Sequence, residues 1–334
     1  MRALHVKKSN QETNRMNHMK KILSFSPVLL FGFCLWVFQP SPSLAYPIYA
    51  QQAYSNPREA NGRIVCANCH LAQKPVYFES PKSILPNQVF ETVVKIPYDL
   101  KSQQILGNGK KGGLNVGAVM ILPEGFKLAP KDQLDKELAT KMKGVYVTPY
   151  SSTLDSILVV GPLPGEKYQD ITFPLLSPDP EKNKSIHYIK YPIYVGANRG
   201  RGQVYPTGEK SNNNLYVAET SGKIEKIATL DKGEFQITIL TNDGASKAQV
   251  IPKGLSVVVS EGQLIEKDQP LVVNPNVGGF GQTESEIVLQ SPVRVLALLA
   301  FCVSSLLSQT FFVLKKKQFE KVQALELEQN SSFE

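Results

Sequence analysis

Two cysteines and a histidine stand in this chain at a spacing that suits covalent attachment of a porphyrin. Cys66 and Cys69 are separated by two residues, and His70 follows directly. Cys-x-x-Cys-His is the attachment motif of c-type haem. Each thiol adds to one haem vinyl group, one helical turn brings both sulfurs to the same porphyrin edge, and the adjacent imidazole can reach the iron. The motif therefore predicts one covalently bound haem c, with His70 as an iron ligand.

The same residues permit two other interpretations. A Cys-x-x-Cys disulfide would indicate a redox motif, but thioredoxin-like proteins place it in a βαβ context that the surrounding sequence lacks. A zinc site needs four ligands, and beyond residue 45 the chain has two histidines, His70 and His187. Zinc would therefore require carboxylates or a partner chain.

The chemistry of such a haem depends on the sixth iron ligand. If protein groups fill both axial positions, the haem passes electrons; an open position would indicate a haem enzyme or a gas sensor. The side-chain candidates are His187, Met120 and Met142. A cut after Ala45 would add a further donor, the α-amine of Tyr46, because the ordinary pKa of about 7.7–8.0 leaves neutral amine to bind iron.

Local signals indicate which elements carry these residues. Ser55 is an N-cap candidate and Pro57 suits a first helical turn, so we predict a helix over 56–70 that delivers the motif. A second short helix is predicted over 132–142. Elsewhere, β-branched and aromatic runs bounded by Gly and Pro predict short strands, and hence a mainly β sandwich. These strands are 89–96, 116–122, 168–176, 185–195, 216–220, 235–241, 255–261 and 286–290.

The N-terminal 45 residues have the form of an export signal. Lys20 and Lys21 precede an apolar run over 22–38, and the small residues Ser43 and Ala45 mark a cleavage site. This segment carries six Lys/Arg against one acid, whereas 46–291 carries 26 against 24. The exported part is therefore almost neutral, which argues against nucleic-acid binding, because that needs a dense basic face.

A second apolar run predicts a membrane anchor. The 20 residues 295–314 carry no charge, and at about 1.5 Å per residue they match the roughly 30 Å hydrocarbon thickness. Lys315, Lys316 and Lys317 follow directly. A lysine cluster beside a span favours the side of the membrane on which the protein is synthesised. We therefore predict a transmembrane helix at 292–314, export of 46–291, and a tail at 315–334 that stays on the stromal or cytoplasmic side.

Several sequence blocks together resemble the cytochrome f family. The first directly follows the signal with Tyr-Pro-Ile-Tyr-Ala-Gln-Gln, and another contains the haem motif. The resemblance extends from residue 46 to residue 323. Its blocks are 46–52, 65–72, 108–112, 115–119, 122–126, 196–203, 274–281 and 315–323.

The resemblance implies a particular domain organisation. The large haem domain, 46–212, is expected to be an immunoglobulin-like β-sandwich. A small lipoyl-like β domain, 213–275, is inserted, and 276–291 supplies a hinge and a strand that returns to the large domain.

The resemblance also implies a function and a location. The family is the haem subunit of the cytochrome b6f complex, with cytochrome b6, subunit IV and the Rieske iron–sulfur protein as partners. It is an electron carrier rather than an enzyme by itself, and it passes electrons from the Rieske protein to plastocyanin or a soluble cytochrome, between photosystems II and I. The expected location is the chloroplast thylakoid membrane, with a single span and the bulk in the lumen; a cyanobacterial thylakoid is the alternative.

Finally, the resemblance assigns roles to single residues. The α-amine of Tyr46 would be the second axial ligand. Buried amides would hold an internal water chain, although Asn and Gln in Gly-rich stretches are often surface turn residues; they are Gln104, Asn198, Gln203, Asn213 and Asn276. A basic patch would dock an acidic partner, although surface lysines are usually a solvated face. Gln103 stands where many members carry a lysine, and the patch comprises Lys110, Lys111, Lys232 and Lys253.

Overall fold

The computed structural model describes residues 48–231 and 233–331. The predictions for the signal 1–45, for Tyr46, for Lys232 and for 332–334 lie outside the described residues. Within them the fold is mainly β, as predicted. The helices are α1 Ile48–Ala53, α2 Lys136–Lys141 and α3 Pro292–Ser331, with 3-10 turns at Val65–Asn68 and Lys131–Gln133.

The strands of the described residues form three larger sheets and a two-stranded ribbon. Their bounds are β1 Tyr77–Glu79, β2 Ser83–Ile84, β3 Val89–Lys95, β4 Gln104–Ile105, β5 Lys111–Gly112, β6 Asn115–Ile121, β7 Lys127–Leu128, β8 Val147–Ser151, β9 Leu154–Pro164, β10 Asp170–Leu176, β11 Lys190–Arg199, β12 Gly222–Thr229, β13 Phe235–Leu240, β14 Ser246–Ile251, β15 Leu264–Ile265 and β16 Gly279–Leu289.

Two of these sheets pack face to face as a sandwich. One has the order β1-β3-β10-β7 and the other β2-β16-β11-β6-β9-β8. The first sheet contributes Phe90, Val94 and Phe173 to the shared core, and the second contributes Val116 and Ile193. Alternation with period two along β3 produces this packing, because every second side chain points into the core.

The middle strands of the six-stranded sheet are buried on both faces. Along β9, Leu158 and Val160 point into the sandwich core. The intervening Ile157 and Val159 point outward and join a separate cluster with Ile64. The outer face of this sheet is therefore covered, and part of what covers it is the segment that carries the haem motif.

A second hydrophobic core lies around the four-stranded sheet of order β14-β13-β12-β15. Ile224, Ile237 and Leu271 are fully buried in it. Ile105, from the ribbon β4-β5, packs into the same core. A residue far upstream in the chain thus joins this sheet to the rest of the molecule.

The predicted helix over 56–70 is wrong. Asn56 and Asn61 each accept a hydrogen bond from the N–H two residues on, at 3.0 and 2.9 Å, and Gly62 has φ +87°. Such local side-chain bonds compete with helical ones, and a left-handed Gly ends a helix. The chain turns back instead, so that only Val65–Asn68 is helical near the motif.

Other boundaries also differ from prediction. The strand expected at 185–195 begins at Lys190 and extends to Arg199, so His187 lies in the turn before it. The strands expected at 216–220 and 255–261 are reduced to isolated bridges at Val217 and Val257. The second helix is confirmed in shortened form as α2, where Asp135 caps the N–H of Leu138 at 2.7 Å.

The C-terminal helix is longer than the predicted span. α3 has 40 residues and continues without a break through Lys315 to Ser331. Its apolar part is long enough to cross a membrane, and its large apolar side chains are exposed. It fits a single-pass anchor.

Candidate functional site

The haem motif forms one tight turn. The N–H groups of Cys69 and His70 both donate to the carbonyl of Cys66, at 3.3 and 3.0 Å. Val65 is buried beneath the turn, and its N–H donates to the carbonyl of Pro57 at 2.9 Å. The short 3-10 turn and the two residues that follow it therefore carry both thiols and the imidazole.

Two glutamines, one buried and one exposed, hold this turn on the sheet. Gln203 donates its backbone N–H to the carbonyl of Cys69 at 2.7 Å, and its side-chain oxygen accepts from the N–H of Leu71 at 3.0 Å. On the other side, Gln282 Oε1 accepts from the N–H of Ile64 at 3.0 Å. These contacts supply the hydrogen bonds that an irregular buried backbone needs.

The segment after the motif adds to the edge of β16. The N–H of Lys74 donates to the carbonyl of Phe280, and the N–H of Phe280 donates to that of Ala72, both at 2.8 Å. Gly279 and Gly281 permit this approach, because a Cβ at either would overlap a carbonyl of the crossing segment. The direction of the chain leaving His70 is thereby fixed.

Burial sets the protonation of the motif. Burial lowers the pKa of His70 to about 4, so its imidazole is neutral near pH 7. Burial raises the pKa of Cys66 to about 12 and also raises that of Cys69. Both groups are therefore thiols, without the electropositive surroundings of a reactive thiolate.

This donor set fits a c-type haem better than the alternatives. Cys66 and Cys69 are free thiols. The described residues contain no group of three or more His, Cys, Asp or Glu side chains that could hold a zinc ion. His70 is neutral, as an iron ligand must be, and its buried Nδ1 has no hydrogen-bond partner in the described chain. Two thiols and such an imidazole on one turn match thioether attachment and axial ligation.

The side-chain candidates for a sixth ligand lie elsewhere. Met120 is fully buried in the sandwich core, whereas its neighbour Val119 faces the motif side. Met142 packs against that same core. His187 precedes β11, and Gln203 follows it, so the ten residues of the strand, about 30 Å, lie between His187 and the turn.

Helix α1, at the start of the described residues, lies beside the haem motif. Helix α1 is tied down by Tyr150, whose hydroxyl lies 2.7 Å from the carbonyl oxygens of both Ala50 and Tyr54. The side chain of Gln51 donates a hydrogen bond to the carbonyl of Tyr150 at 2.8 Å. Ala50 and Cys66 line one small cavity of about 30 Å³. The helix that starts two residues after Tyr46 is thus in place next to Cys66.

Comparison with known proteins identifies the family. The family models described as "Apocytochrome F, N-terminal" and "Apocytochrome F, C-terminal" match residues 46–200 and 212–329. Cytochrome f of Chlorokybus atmophyticus is 59% identical over 307 residues, which cover 92% of this chain and 96% of that protein. The chain belongs to the cytochrome f family. This confirms the resemblance drawn from the sequence blocks.

Further members of the cytochrome f family are equally similar. The protein named cytochrome f from Gracilaria tenuistipitata var. liui is 60% identical over 300 residues, covering 90% of this chain and 97% of that protein. The one from Porphyra purpurea is 59% identical over 312 residues, covering 93% and 98%. Both alignments span nearly the full relatives.

The amides predicted for a water chain are not equally buried. Gln104, Gln203 and Asn213 are buried, whereas Asn198 and Asn276 are half-buried. Gln104 Oε1 accepts from the N–H of Arg201 at 2.7 Å, and Asn213 donates to the Arg201 carbonyl at 2.9 Å. Gln203 donates to that same carbonyl at 3.0 Å. Three of the five amides therefore meet around one residue that sequence reasoning did not single out.

The other two amides occupy different surroundings. Asn198 lines the small cavity with Cys66, and its Nδ2 donates weakly to Gly200 at 3.4 Å. Asn276 Oδ1 accepts from the N–H of Gly278 at 3.0 Å, which is a turn bond. The surface-turn interpretation thus fits Asn276 better than the other members.

Three of the four predicted docking lysines are described, and two turns bring them together. Lys110 and Lys111 are exposed, and Lys253 is half-buried. Gly109 and Gly254 have φ +81° and +90°, and a Cβ on Gly254 would overlap the carbonyl of Gly109. The two loops therefore touch only because both turns have glycine in a left-handed conformation.

Loss of the Gln203 side-chain contacts should destabilise the site. We predict that Gln203→Met lowers the free energy of unfolding by about 1–3 kcal/mol, because the hydrogen bonds of the buried Gln203 amide to the N–H of Leu71 and to the carbonyl of Arg201 are lost. Gln103→Met, at an exposed glutamine, is the control and should change it by less than about 0.5 kcal/mol. Denaturant unfolding of the full chain in detergent measures both; equal effects would contradict the role of Gln203.

Proposed function

We propose that this chain is a membrane-anchored electron carrier with one haem c attached to Cys66 and Cys69 and ligated by His70. Membership of the cytochrome f family already gives it a role in photosynthetic electron transport, as a carrier subunit of the b6f complex. The observation that carries the finer proposal is the tight turn that holds two free thiols and a half-buried, neutral imidazole whose buried Nδ1 has no hydrogen-bond partner among the described residues.

The haem would supply reversible one-electron oxidation and reduction of its iron. The residues of this chain hold the ligand in place. Gln203 and the β16 edge fix the backbone on either side of His70, and the cluster of Ile64, Val159 and Phe280 seals the sheet beneath. A rigidly held ligand changes its position little when the charge on the iron changes.

The second axial ligand is proposed to be the α-amine of Tyr46, freed by cleavage after Ala45. Support comes from the surroundings of α1, since Tyr150 holds this helix beside Cys66. The positions of Met120 in the core and of His187 beyond the far end of β11 favour the same assignment.

An internal water chain is proposed to start at His70 Nδ1. Iron-ligating histidines usually donate their other ring N–H to an acceptor, and here the described residues offer none. Asn213 Oδ1 is likewise buried without a partner. Waters between such groups would satisfy both, and Gln104, Gln203, Asn213, Asn198 and Asn276 would line their route.

The basic patch of Lys110, Lys111, Lys232 and Lys253 is proposed to dock an acidic electron acceptor, plastocyanin or a soluble cytochrome. The contact between the loops at Gly109 and Gly254 supports it. The proposed donor is the Rieske protein, and cytochrome b6 and subunit IV would be further neighbours in the membrane. The bulk of the chain would lie in the thylakoid lumen, with the tail on the opposite side.

The first prediction of this proposal concerns haem attachment. Cys66→Ser and Cys69→Ser should each prevent normal holoprotein formation, because each removes one thioether. Cys302→Ser, at the third free cysteine of the described residues, is the matched control and should retain full haem. A pyridine haemochrome spectrum of the denatured protein measures this; normal covalent haem in the double variant would reject the assignment.

The second prediction concerns the sixth ligand. Ala45→Leu should block cleavage, since export signals need a small residue at that position, and the uncut chain should bind haem but lack the Tyr46 amine. Its reduced spectrum should change on addition of carbon monoxide, while that of the mature form should not. Leu44→Ala is the control. Identical low-spin spectra of cut and uncut chains would eliminate the amine.

The third prediction concerns docking. Changing Lys110, Lys111, Lys232 and Lys253 to Gln should slow association with plastocyanin at least about tenfold at low salt, by loss of steering. The difference should shrink at 0.1 M salt, where the Debye length is about 10 Å. A control with Lys127, Lys131, Lys136 and Lys184 changed has the same net charge. Flash kinetics give the rates, and equal slowing in both variants would refute a localised patch.

A further inference from the structure

Arg199 is a charged side chain enclosed in the sandwich. It is 0% exposed, and it lies at the end of β11, on the face whose other members, Ile193, Val195 and Ala197, point into the core. Its Nη2 donates to the carbonyl of Pro75. Its Nε and Nη1 have no hydrogen-bond partner among the described residues.

Tyr98 presents a third buried donor in the same region. Its hydroxyl is buried and also without a partner in the described chain. Burial raises the pKa of the Tyr98 phenol, the negative charge of Glu166 raises it further, and the positive charge of Arg199 opposes this rise. Burial lowers the pKa of Arg199 to about 10, which leaves the guanidinium charged at neutral pH. Geometry brings the two groups together: Arg199 pairs with Val116 at the start of β6, and Tyr98 packs against the same core as Val116. The Tyr98 hydroxyl lies beside Gly165, whose N–H bonds to Leu114, two residues before Val116.

The backbone around Tyr98 is shaped to admit its hydroxyl. A Cβ on Gly165 would overlap the Tyr98 oxygen and the carbonyl of Leu114. Leu114 is itself buried, and its carbonyl accepts from the N–H of Gly165 at 3.0 Å. The polar end of Tyr98 is thus held inside the protein, where bulk water does not solvate it.

Three unpaired donors in one interior are costly. A buried donor without an acceptor is destabilising, and a buried guanidinium needs compensation for its lost hydration. None of the ion pairs of the described residues includes Arg199. Buried water commonly fills this role, making about three hydrogen bonds to groups that would otherwise be unsatisfied.

We propose that Arg199 and Tyr98 form an internal water site, in which at least one ordered water accepts from Arg199 Nε or Nη1 and bonds to the Tyr98 hydroxyl. This hydration keeps the guanidinium in place to hold the carbonyl of Pro75. The site faces the sandwich core, away from the cluster beneath the haem motif, and it does not depend on the proposed electron-transfer role. It involves none of the amide side chains proposed to line the water chain.

A structure of the full-length holoprotein at about 2 Å or better tests the site directly. We expect water density at roughly 2.7–3.2 Å from Tyr98 Oη and from Arg199 Nε or Nη1. Crystals grown in bromide instead of chloride distinguish a halide from water by anomalous scattering. A bromide peak, or a direct Tyr98–Arg199 hydrogen bond without intervening density, would overturn the proposal.

Tyr98→Phe provides the functional test, because it removes one oxygen and keeps the ring. It should remove or displace the water density and lower the thermal unfolding midpoint by about 2–4 °C. Tyr146→Phe, at a tyrosine that is 65% exposed, should leave the midpoint within 1 °C or so of the parent. Unchanged density and an unchanged midpoint in Tyr98→Phe would refute the site.

Discussion

The fold depends on a sheet whose middle strands must be buried on both faces. Strands β6 and β9 alternate apolar residues toward the sandwich core and toward the outer cluster, so neither face tolerates water. The β1-β3-β10-β7 sheet covers one face. The haem-attachment segment and α1 help to cover the other, with Ile64 and Phe280 as fully packed contacts. The site is therefore formed by core packing and is not an appendage on a loop.

That arrangement places irregular backbone against an apolar sheet, and its polar groups then need partners. Side-chain amides provide several of these partners. The side-chain oxygen of Gln282 accepts from the N–H of Ile64, and that of Gln203 accepts from the N–H of Leu71. At the edge of β16, the backbone of Phe280 bonds to the carbonyl of Ala72 and to the N–H of Lys74. Each partner fixes a different point before or after His70, so the ligand is held by several independent hydrogen bonds rather than by one helix.

Local chemistry was readable from the sequence, whereas long-range placement was not. The Cys-x-x-Cys-His spacing predicted the motif. The β-branched runs predicted β3, β6, β10, β11 and the end of β16, but they missed the other sandwich strands, including the 11-residue β9. The helix at 56–70 failed because Asn61 and Gly62 favour a turn that weak helix signals could not outweigh. Helix α1 has only six residues and no acidic first turn, so it gives almost no periodic signal.

Burial of polar residues was equally hidden. Gln203 and Asn198 stand in the same Gly-rich stretch, yet only Gln203 is fully buried. Arg199 looks like a surface residue by type, and only the register of β11 shows that it points inward. The contact between the loops of Lys110 and Lys253 depends on two glycine turns far apart in the chain, which no local pattern could connect.

The unbroken C-terminal helix has a mechanical consequence. At 1.5 Å per residue its 40 residues measure about 60 Å, roughly twice the hydrocarbon thickness. The part of the helix beyond the bilayer therefore continues along the axis of the membrane-spanning part as a rigid rod, rather than forming a flexible tail. A tilt of about 20°, which is usual for single spans, would carry the far end of this rod roughly 10 Å sideways. A change in the tilt of the membrane-spanning part would therefore move the end of the tail along the opposite membrane surface.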